Sequence, residues 1–517
     1  MKNVKKQFAF NAASGWIAHL VFAGVGLILM PYCINRLGEQ GFGVYQLARS
    51  VLVFFMFLQL GMGPTLVRFC SQAIAKGDKE QIRKISSTAQ LLLGGLGLIA
   101  SLLCLALIPF FIRFYEIPPE LISETTGLII CLAMSLFLNM TFIVPQGLVY
   151  GSSRYDLANG VEMCGHLLRL GLIVALFELI HPSVFFIGIA ILSAALFRFV
   201  ALFLIGAKQL GRLVFFSFRY VSRESMRSML GFSMLNLANT VAQVVVFQGP
   251  VLIIGKVLGA EMVTAFAPAL LISGAMQGFL GQTTRPLVPL ASRDREVNGG
   301  AALGKWAIQM GQIAAFVGFA IVLPLTTFGS EIMTLWLGEK LTWIWPVVAV
   351  VTTGVAVSQV QTANHFLALG GGDIKPTVYS QIAMAIAVFT GTLIGTVWFG
   401  WHLFAVALYL GSCIFVRNTF YLAYAYSRQF SYNYGRYLWA VYGLPALIAT
   451  GCVVAGWGLK IVMPPNNLLL LAIEGALVFV AYGVLCWILL VPKLLQKKLV
   501  SIVLSKINRK TAPDSLS

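Results

Sequence analysis

The 517-residue chain is expected to fold as an all-α polytopic membrane protein of fourteen transmembrane helices, two six-helix lobes followed by two extra C-terminal helices. Composition sets the class: 59% of residues are hydrophobic and 10% charged, with a mean hydropathy of +0.87, where a soluble protein carries roughly 25% charged residues. Apolar runs of about 20 residues, enough to cross a hydrocarbon core of about 30 Å, set the helix count. They centre near residues 22, 57, 100, 135, 169, 195, 241, 272, 315, 356, 386, 414, 447 and 479. An internal repeat sets the lobes. At a constant offset of 221 positions, Leu37 and Gly38 fall on Leu258 and Gly259, Tyr45 on Phe266, Ala48 on Ala269, Leu66 on Leu287, Gly151 on Gly372 and Arg154 on Lys375. One offset held across a loop, a helix and a later loop points to duplication. Six helices per unit is an even number, so both units face the same way, related by a pseudo-two-fold axis along the membrane normal.

The first helix needs separating from a secretion signal, because Lys2, Lys5 and Lys6 precede its apolar stretch. Its run from about Phe10 to Ile34 exceeds a signal's apolar region of roughly 7 to 15 residues, and no small-residue cleavage pattern follows, so it stays as a helix. The predicted units are an N-terminal lobe over residues 1–207, a basic linker over 208–228 and a second lobe over 229–428. Two helices without a counterpart in the first unit fill 429–491. A basic tail over 492–517 mixes Leu495, Leu499 and Ile502 with Lys497 and Lys498, the pattern of an interfacial helix on anionic lipid.

Net charge is +18, and its placement decides its meaning. With the N-terminus inside, 27 of the 36 Lys and Arg residues fall in internal segments, and only Arg36, Arg113, Lys256, Lys340 and Lys460 fall outside. That asymmetry sets the orientation, with both termini cytoplasmic. The basic charge therefore belongs to topology and implies no nucleic-acid partner. Eight cysteines lie in or beside apolar runs without Cys-x-x-Cys spacing or a partner His, so neither disulfides nor a metal site is expected. The chain has no Walker loop and no dinucleotide-binding glycine pattern, so no cofactor and no direct ATP coupling are expected.

Ionised side chains inside a bilayer cost about 2.5 to 3.5 kcal/mol on insertion scales, which makes them candidates for function. Arg198 and Arg417 stand ten and eleven residues before Lys208 and Arg428, so each lies about 15 Å from the inner surface, beyond easy snorkelling. Both occupy the last helix of their unit, and they are expected to line a cavity between the lobes as rough symmetry mates. Glu162, His166 and Arg169 share one face of the fifth helix at i, i+4, i+7. Two readings stand for them: a proton-sensitive relay, or an ion pair fixing that helix against its neighbours. Arg49 near the outer end of the second helix either snorkels or joins the cavity, and Glu474 stands alone in the fourteenth helix as a candidate for ion or proton coupling. Asn236, Thr240 and Gln243 share a face of the seventh helix, and Gln361 and His365 a face of the tenth. Such groups suit sugar hydroxyls, and interhelical hydrogen bonds use them equally. None of these sets is a catalytic constellation, so no enzymatic activity is expected.

Leu37-Gly38 followed by Phe42-Gly43-Val44-Tyr45, the run Leu60-Gly-Met-Gly-Pro-Thr-Leu-Val-Arg68 and the loop Gly77-Asp-Lys-Glu80 resemble the polysaccharide transporter branch of the multidrug, oligosaccharidyl-lipid and polysaccharide (MOP) flippase superfamily. That branch includes the O-antigen flippases. The match is firmest over residues 10 to 90, while the fourteen-helix layout, shared with lipid II flippases, covers nearly the whole chain. The resemblance implies a multi-pass protein of the cell inner (plasma) membrane that moves a polyprenyl-diphosphate-linked oligosaccharide between leaflets by alternating access. It further implies membrane lipids as surroundings and polysaccharide polymerase and chain-length machinery as partners. The charges agree in sign, since four intramembrane arginines against two carboxylates suit an anionic diphosphate. Two alternatives remain: a cation-coupled, MATE-like drug exporter, which would need acids that the first and seventh helices lack, and a membrane glycosyltransferase or ligase, against which the short external loops count.

Overall fold

The structure, a computed structural model, describes residues 2–59, 61–211, 215–284, 300–371, 373–464 and 468–490. The basic stretch at 285–299 and the tail from 491 lie outside the described residues. The described elements are all helical: α1 (Lys2–Phe55), α2 (Met62–Ala75), α3 (Lys79–Ala106), α4 (Ile108–Phe114), α5 (Pro119–Gly151), α6 (Tyr155–Leu179), α7 (Val184–Leu210), α8 (Arg223–Val257), α9 (Ala260–Thr284), α10 (Gly300–Thr327), α11 (Gly329–Leu337), α12 (Trp345–Gly371), α13 (Lys375–Trp398), α14 (Leu403–Val416), α15 (Ala423–Gln429), α16 (Tyr434–Tyr437), α17 (Leu444–Val462) and α18 (Leu468–Leu490). Two π-helical turns, Arg417–Leu422 and Leu438–Gly443, join α14 to α15 and α16 to α17.

Among the described residues, thirteen segments are long and apolar enough to cross a bilayer. The first, Ala13–Gln59, has 47 residues, about 70 Å of helix at about 1.5 Å per residue and more than twice a hydrocarbon core. Gly38 breaks it with φ 73° and ψ 170°. The fourteen spans read from the sequence correspond to counting this segment as two passes. Gly259, 221 positions later, takes φ 93° between α8 and α9. A side chain at either corner would sit in the left-handed region, where only glycine is unstrained. The same offset separates the starts of the short helices α4 and α11, so the repeat seen in sequence reappears as equivalent local structure.

Polar residues set the helix starts. Asp78 accepts from the Gln81 N–H at 2.9 Å to open α3, Ser183 accepts from Phe185 at 3.2 Å to open α7, and Ser222 accepts from Ser225 at 3.3 Å to open α8. Each cap satisfies a donor that the first turn leaves free. The linker between the bundles is pinned to α3: Ser217 N–H donates to Ser87 Oγ at 3.3 Å, Ser222 N–H donates to Thr88 Oγ1 at 3.0 Å, and the Arg83 guanidinium lies 4.5 Å from the Tyr220 ring centre.

In the first bundle α5 runs through the middle, packed on α2, α3 and α7, and in the second α12 takes that place against α9, α10 and α14. The bundles meet where both limbs of α1 pack on α8 and α9. They are bridged on the face that holds the Gly38 and Gly259 corners, which is poor in Lys and Arg. There Thr264 donates to the Glu39 carbonyl and Lys256 pairs with Glu116 at 2.8 Å; deeper, eleven residues before the corner, the Leu27 carbonyl accepts from Trp336 at 2.8 Å. Hydrogen bonding and then charge from Lys256 hold the Glu116 carboxyl below its ordinary range. The extra helices lean on α10, where Tyr482 stacks on Phe316 with ring centres 5.5 Å apart.

Gly43 marks the tightest approach at this interface, because a Cβ there would lie 1.9 Å from the Ala260 carbonyl oxygen, a backbone atom that moves only with α9. Gly43→Val should therefore lower stability by at least about 2 kcal/mol, read as a drop in thermal unfolding temperature in detergent. Gly24→Val, at a helical position with nothing within 4 Å, is the matched control and should leave it nearly unchanged.

Candidate functional site

Three adjoining cavities run through the middle of the molecule. The largest, about 440 Å³, lies within the second bundle among α8, α9, α12, α13 and the end of α14, toward the basic face. A second, about 310 Å³, lies between the bundles, walled by both limbs of α1 with α8 and α9. A third, about 60 Å³, reaches into the first bundle between α1, α6 and α7. Gln243, Phe247 and Gln277 line both of the first two, and Phe22, Gln46 and Arg49 line both of the last two, so the cavities form one series.

Arginines are the charged groups of this series. Arg417 enters the large cavity, Arg49 stands between the other two and Arg169 ends the smallest. Among the described residues, no Asp or Glu lines any of the three. Arg49 and Arg169 are near mid-membrane, eleven residues past the Gly38 corner and ten before the end of α6, depths of about 16 and 15 Å, whereas the Arg417 guanidinium reaches the first turns of α13, nearer the basic face. Arg417 is steadied from α13, donating from Nε to Ser380 Oγ at 3.0 Å and from Nη2 to the Thr377 carbonyl at 3.1 Å. Arg49 is exposed to the cavity and reaches Gln46 Oε1 only at 3.4 Å. The Nε of Arg169 is buried without a hydrogen-bond partner.

Arg198 departs from the symmetric pairing that the sequence suggests. It donates to Glu162 Oε2 at 2.8 Å and to Asn139 Oδ1 at 2.9 Å, and lies outside the walls of all three cavities. The two helices that carry Arg198 and Arg417 are repeat mates, but their surroundings differ in charge. Position 221 after Glu162 is Ala383, so the second bundle offers Arg417 no carboxylate where the first neutralises Arg198. Of the trio on the fifth helix, Glu162 and Arg198 make the ion pair, His166 sits behind them 4.0 Å from Glu162 with its ring 5.0 Å from Phe22, and Arg169 turns to the cavity instead. Glu474 is far from this chamber, 1% exposed between α18 and its neighbours, with both oxygens unbonded.

The polar residues divide as well. Thr240 and Gln243 line the cavities, Gln243 donating to Gln277 Oε1 at 3.2 Å, while the side chain of Asn236 lies outside the described residues. His365 lines the large cavity with Nδ1 unbonded. Gln361 also lines it, but its amide is engaged with the Asn418 carbonyl at 3.0 Å and Tyr442 at 2.8 Å. Asn239, Gln277 and Gln381 escaped the sequence reading, although amides within apolar runs carry the same signal that marked Gln243. Asn239, Gln243 and Phe247 recur every four residues, and that row of α8 faces the large cavity.

Removing Arg198 alone leaves Glu162 as an unpaired carboxylate in a half-buried intramembrane setting. Arg198→Met should cost about 3 to 5 kcal/mol of stability, and adding Glu162→Gln should return most of it, both read by thermal unfolding of the purified protein. Arg417→Met, with no acid to orphan, should unfold within a few degrees of the unaltered chain.

A family model described as "Polysaccharide biosynthesis protein" matches residues 9–294, more than half of the chain. The "Uncharacterized membrane protein EpsK" of Bacillus subtilis (strain 168) is 22% identical over 353 residues, spanning 66% of this chain and 67% of that protein. A Salmonella typhi protein named "Putative O-antigen transporter" is 32% identical over 69 residues, 13% of this chain and 16% of that one. Among solved structures, an inward-facing multidrug resistance MATE family transporter of the MOP superfamily superposes with a TM-score of 0.65 at 15% identity, covering 80% of this chain and 94% of that one. The chain belongs to the polysaccharide biosynthesis protein family and carries the fold of the MOP superfamily.

Proposed function

We propose that this protein is a flippase that moves a polyprenyl-diphosphate-linked oligosaccharide from the inner to the outer leaflet of the cytoplasmic membrane, for assembly of a cell-surface polysaccharide. One observation carries the reading: Arg49, Arg169 and Arg417 line an adjoining series of intramembrane cavities that, among the described residues, no carboxylate lines. A guanidinium left without a counter-ion in low dielectric calls for an anion. Its planar fork matches a phosphate through two parallel hydrogen bonds. The amides of Gln243, Gln277 and Gln381 offer donors and acceptors for sugar hydroxyls beside it. The prenyl tail stays in the bilayer while the head group crosses.

The arrangement of open and bridged regions supports alternating access. The largest cavity lies toward the basic face, which the positive-inside rule makes cytoplasmic along with both termini. The opposite face is closed by Lys256 with Glu116 and by Thr264 with the Glu39 carbonyl. Release to the far side would require these inter-bundle contacts to part, with the two bundles rocking about the pinned linker. A drug exporter that attracts cations would need a free acid in the chamber; Glu162, the nearest candidate named from the sequence, is held by Arg198. A ligase or transferase would change the chemical form of its lipid-linked sugar, whereas a flippase returns it intact.

Arg49→Ala with Arg169→Ala, and separately Arg417→Ala, should each lower glycan export by at least about tenfold, the worth of one or two charge-assisted hydrogen bonds. The double change Arg198→Met with Glu162→Gln should retain most export. Export is scored by surface glycan in a complemented flippase-deficient strain, with membrane insertion checked by immunoblot. Equal loss in the cavity and ion-pair variants would reject the chamber as the route, and recovery of a chemically altered labelled sugar would favour an enzyme.

A further inference from the structure

The two extra helices have no counterpart in the repeat, yet one of them is bonded to the backbone that carries Arg417. Arg417 opens the π-helical turn Arg417–Leu422, and the turn Leu438–Gly443 interrupts the span formed by α16 and α17. Between the two lies a polar network buried at the core of the second bundle. Gln361 Nε2 donates to the Asn418 carbonyl at 3.0 Å and to Tyr442 Oη at 2.8 Å. Tyr442 in turn donates to the same Asn418 carbonyl at 3.3 Å. Asn364 Nδ2 donates to Gln361 Oε1 at 2.8 Å and to Tyr437 Oη at 3.0 Å. Gln361 is 2% exposed, Asn364 0% and Tyr437 0%.

A π turn inserts one residue into the helix, which displaces carbonyls from the i→i−4 ladder and is held only where something else satisfies them. In a membrane core no water does so. Here two side chains from separate helices converge on one carbonyl of the turn, that of the residue next to Arg417. The insertion also fixes register: one residue more or less rotates the two ends of a helix by about 100° against each other. Ser380 and the Thr377 carbonyl hold the Arg417 guanidinium from α13, and they do so only while the backbone at 417 keeps this register.

We infer that Tyr442 and Gln361 are positioning residues that hold the π turn and thereby aim Arg417 into the large cavity, which makes the thirteenth span a working part of the substrate site. This rests on the reading of Arg417 as an anion-binding residue. It predicts a dependence that simple packing does not: Tyr442 should matter for ligand binding only when Arg417 is present.

A double-mutant cycle separates the two. The full chain is placed in lipid nanodiscs and titrated with a long-chain polyprenyl diphosphate, using the unaltered protein, Tyr442→Phe, Arg417→Ala and the two together. Tyr442→Phe should weaken binding about fivefold, the worth of one net hydrogen bond, and should add nothing in the Arg417→Ala background. Tyr482→Phe, which removes another buried hydroxyl bonded to the Phe316 carbonyl at 3.4 Å, should leave affinity unchanged. Gln361→Met serves in the same cycle if Tyr442→Phe inserts poorly. No loss with Tyr442→Phe, or an equal loss in both backgrounds, overturns the inference while leaving the functional reading intact. An Arg417→Ala protein that binds as tightly as the unaltered chain overturns both.

Discussion

In hydrocarbon, a charged or polar group survives only where protein or trapped water satisfies it, and this constraint orders the whole structure. Arg198 meets it with Glu162 and Asn139, and Lys256 meets it at the rim with Glu116. Arg49, Arg169 and Arg417 meet it by opening onto cavities instead. The difference between a structural and a functional arginine is therefore a question of which neighbour answers its charge. Where an acid does, the pair joins two helices of the bundle; where none does, the guanidinium faces a cavity.

Internal duplication explains how both solutions arise in one chain. The halves share corners at Gly38 and Gly259 and equivalent short helices α4 and α11, so each presents an arginine from its last helix toward the helix before it. One difference between repeat mates, Glu162 against Ala383, gives one arginine a counter-ion that the other lacks at that position. The first bundle instead lines the cavities with Arg169 and Arg49, which lie on other helices. The chamber is thus lined by arginine from both bundles without being symmetric in its residues.

The same constraint gives α16 and α17 a place in the design. Carbonyls of both π turns take side-chain donors from other helices, that of Asn418 from Gln361 and Tyr442 and that of Ala440 from Gln312, while Asn364 ties Gln361 to Tyr437. Helices that look like an appendix to a twelve-helix plan are thereby tied to the chamber wall. Tyr482 on α18 is different in kind, stacked on Phe316 at the outside of α10.

Hydropathy and composition were enough to read the class, an all-α polytopic membrane protein, because that depends on the chain's relation to the bilayer and is written locally in periodicity and composition. The likeness to polysaccharide transporters was legible for the same reason, whereas the residues after Leu37 read as a short polar loop and the structure makes them helix around one break at Gly38. Which intramembrane charges meet was not legible, since Arg198 and Glu162 are 36 residues apart and only the packing of α6 on α7 brings them together. The choice of Asn239 and Gln243 for the wall of the large cavity while Thr240 and Val244 turn to the second, the backbone carbonyl that occupies Gln361, and the partnerless Nε of Arg169 likewise depend on the rotation of each helix about its axis. That rotation is fixed by contacts among many spans at once, so tertiary structure alone decided which of the buried arginines remain free to bind.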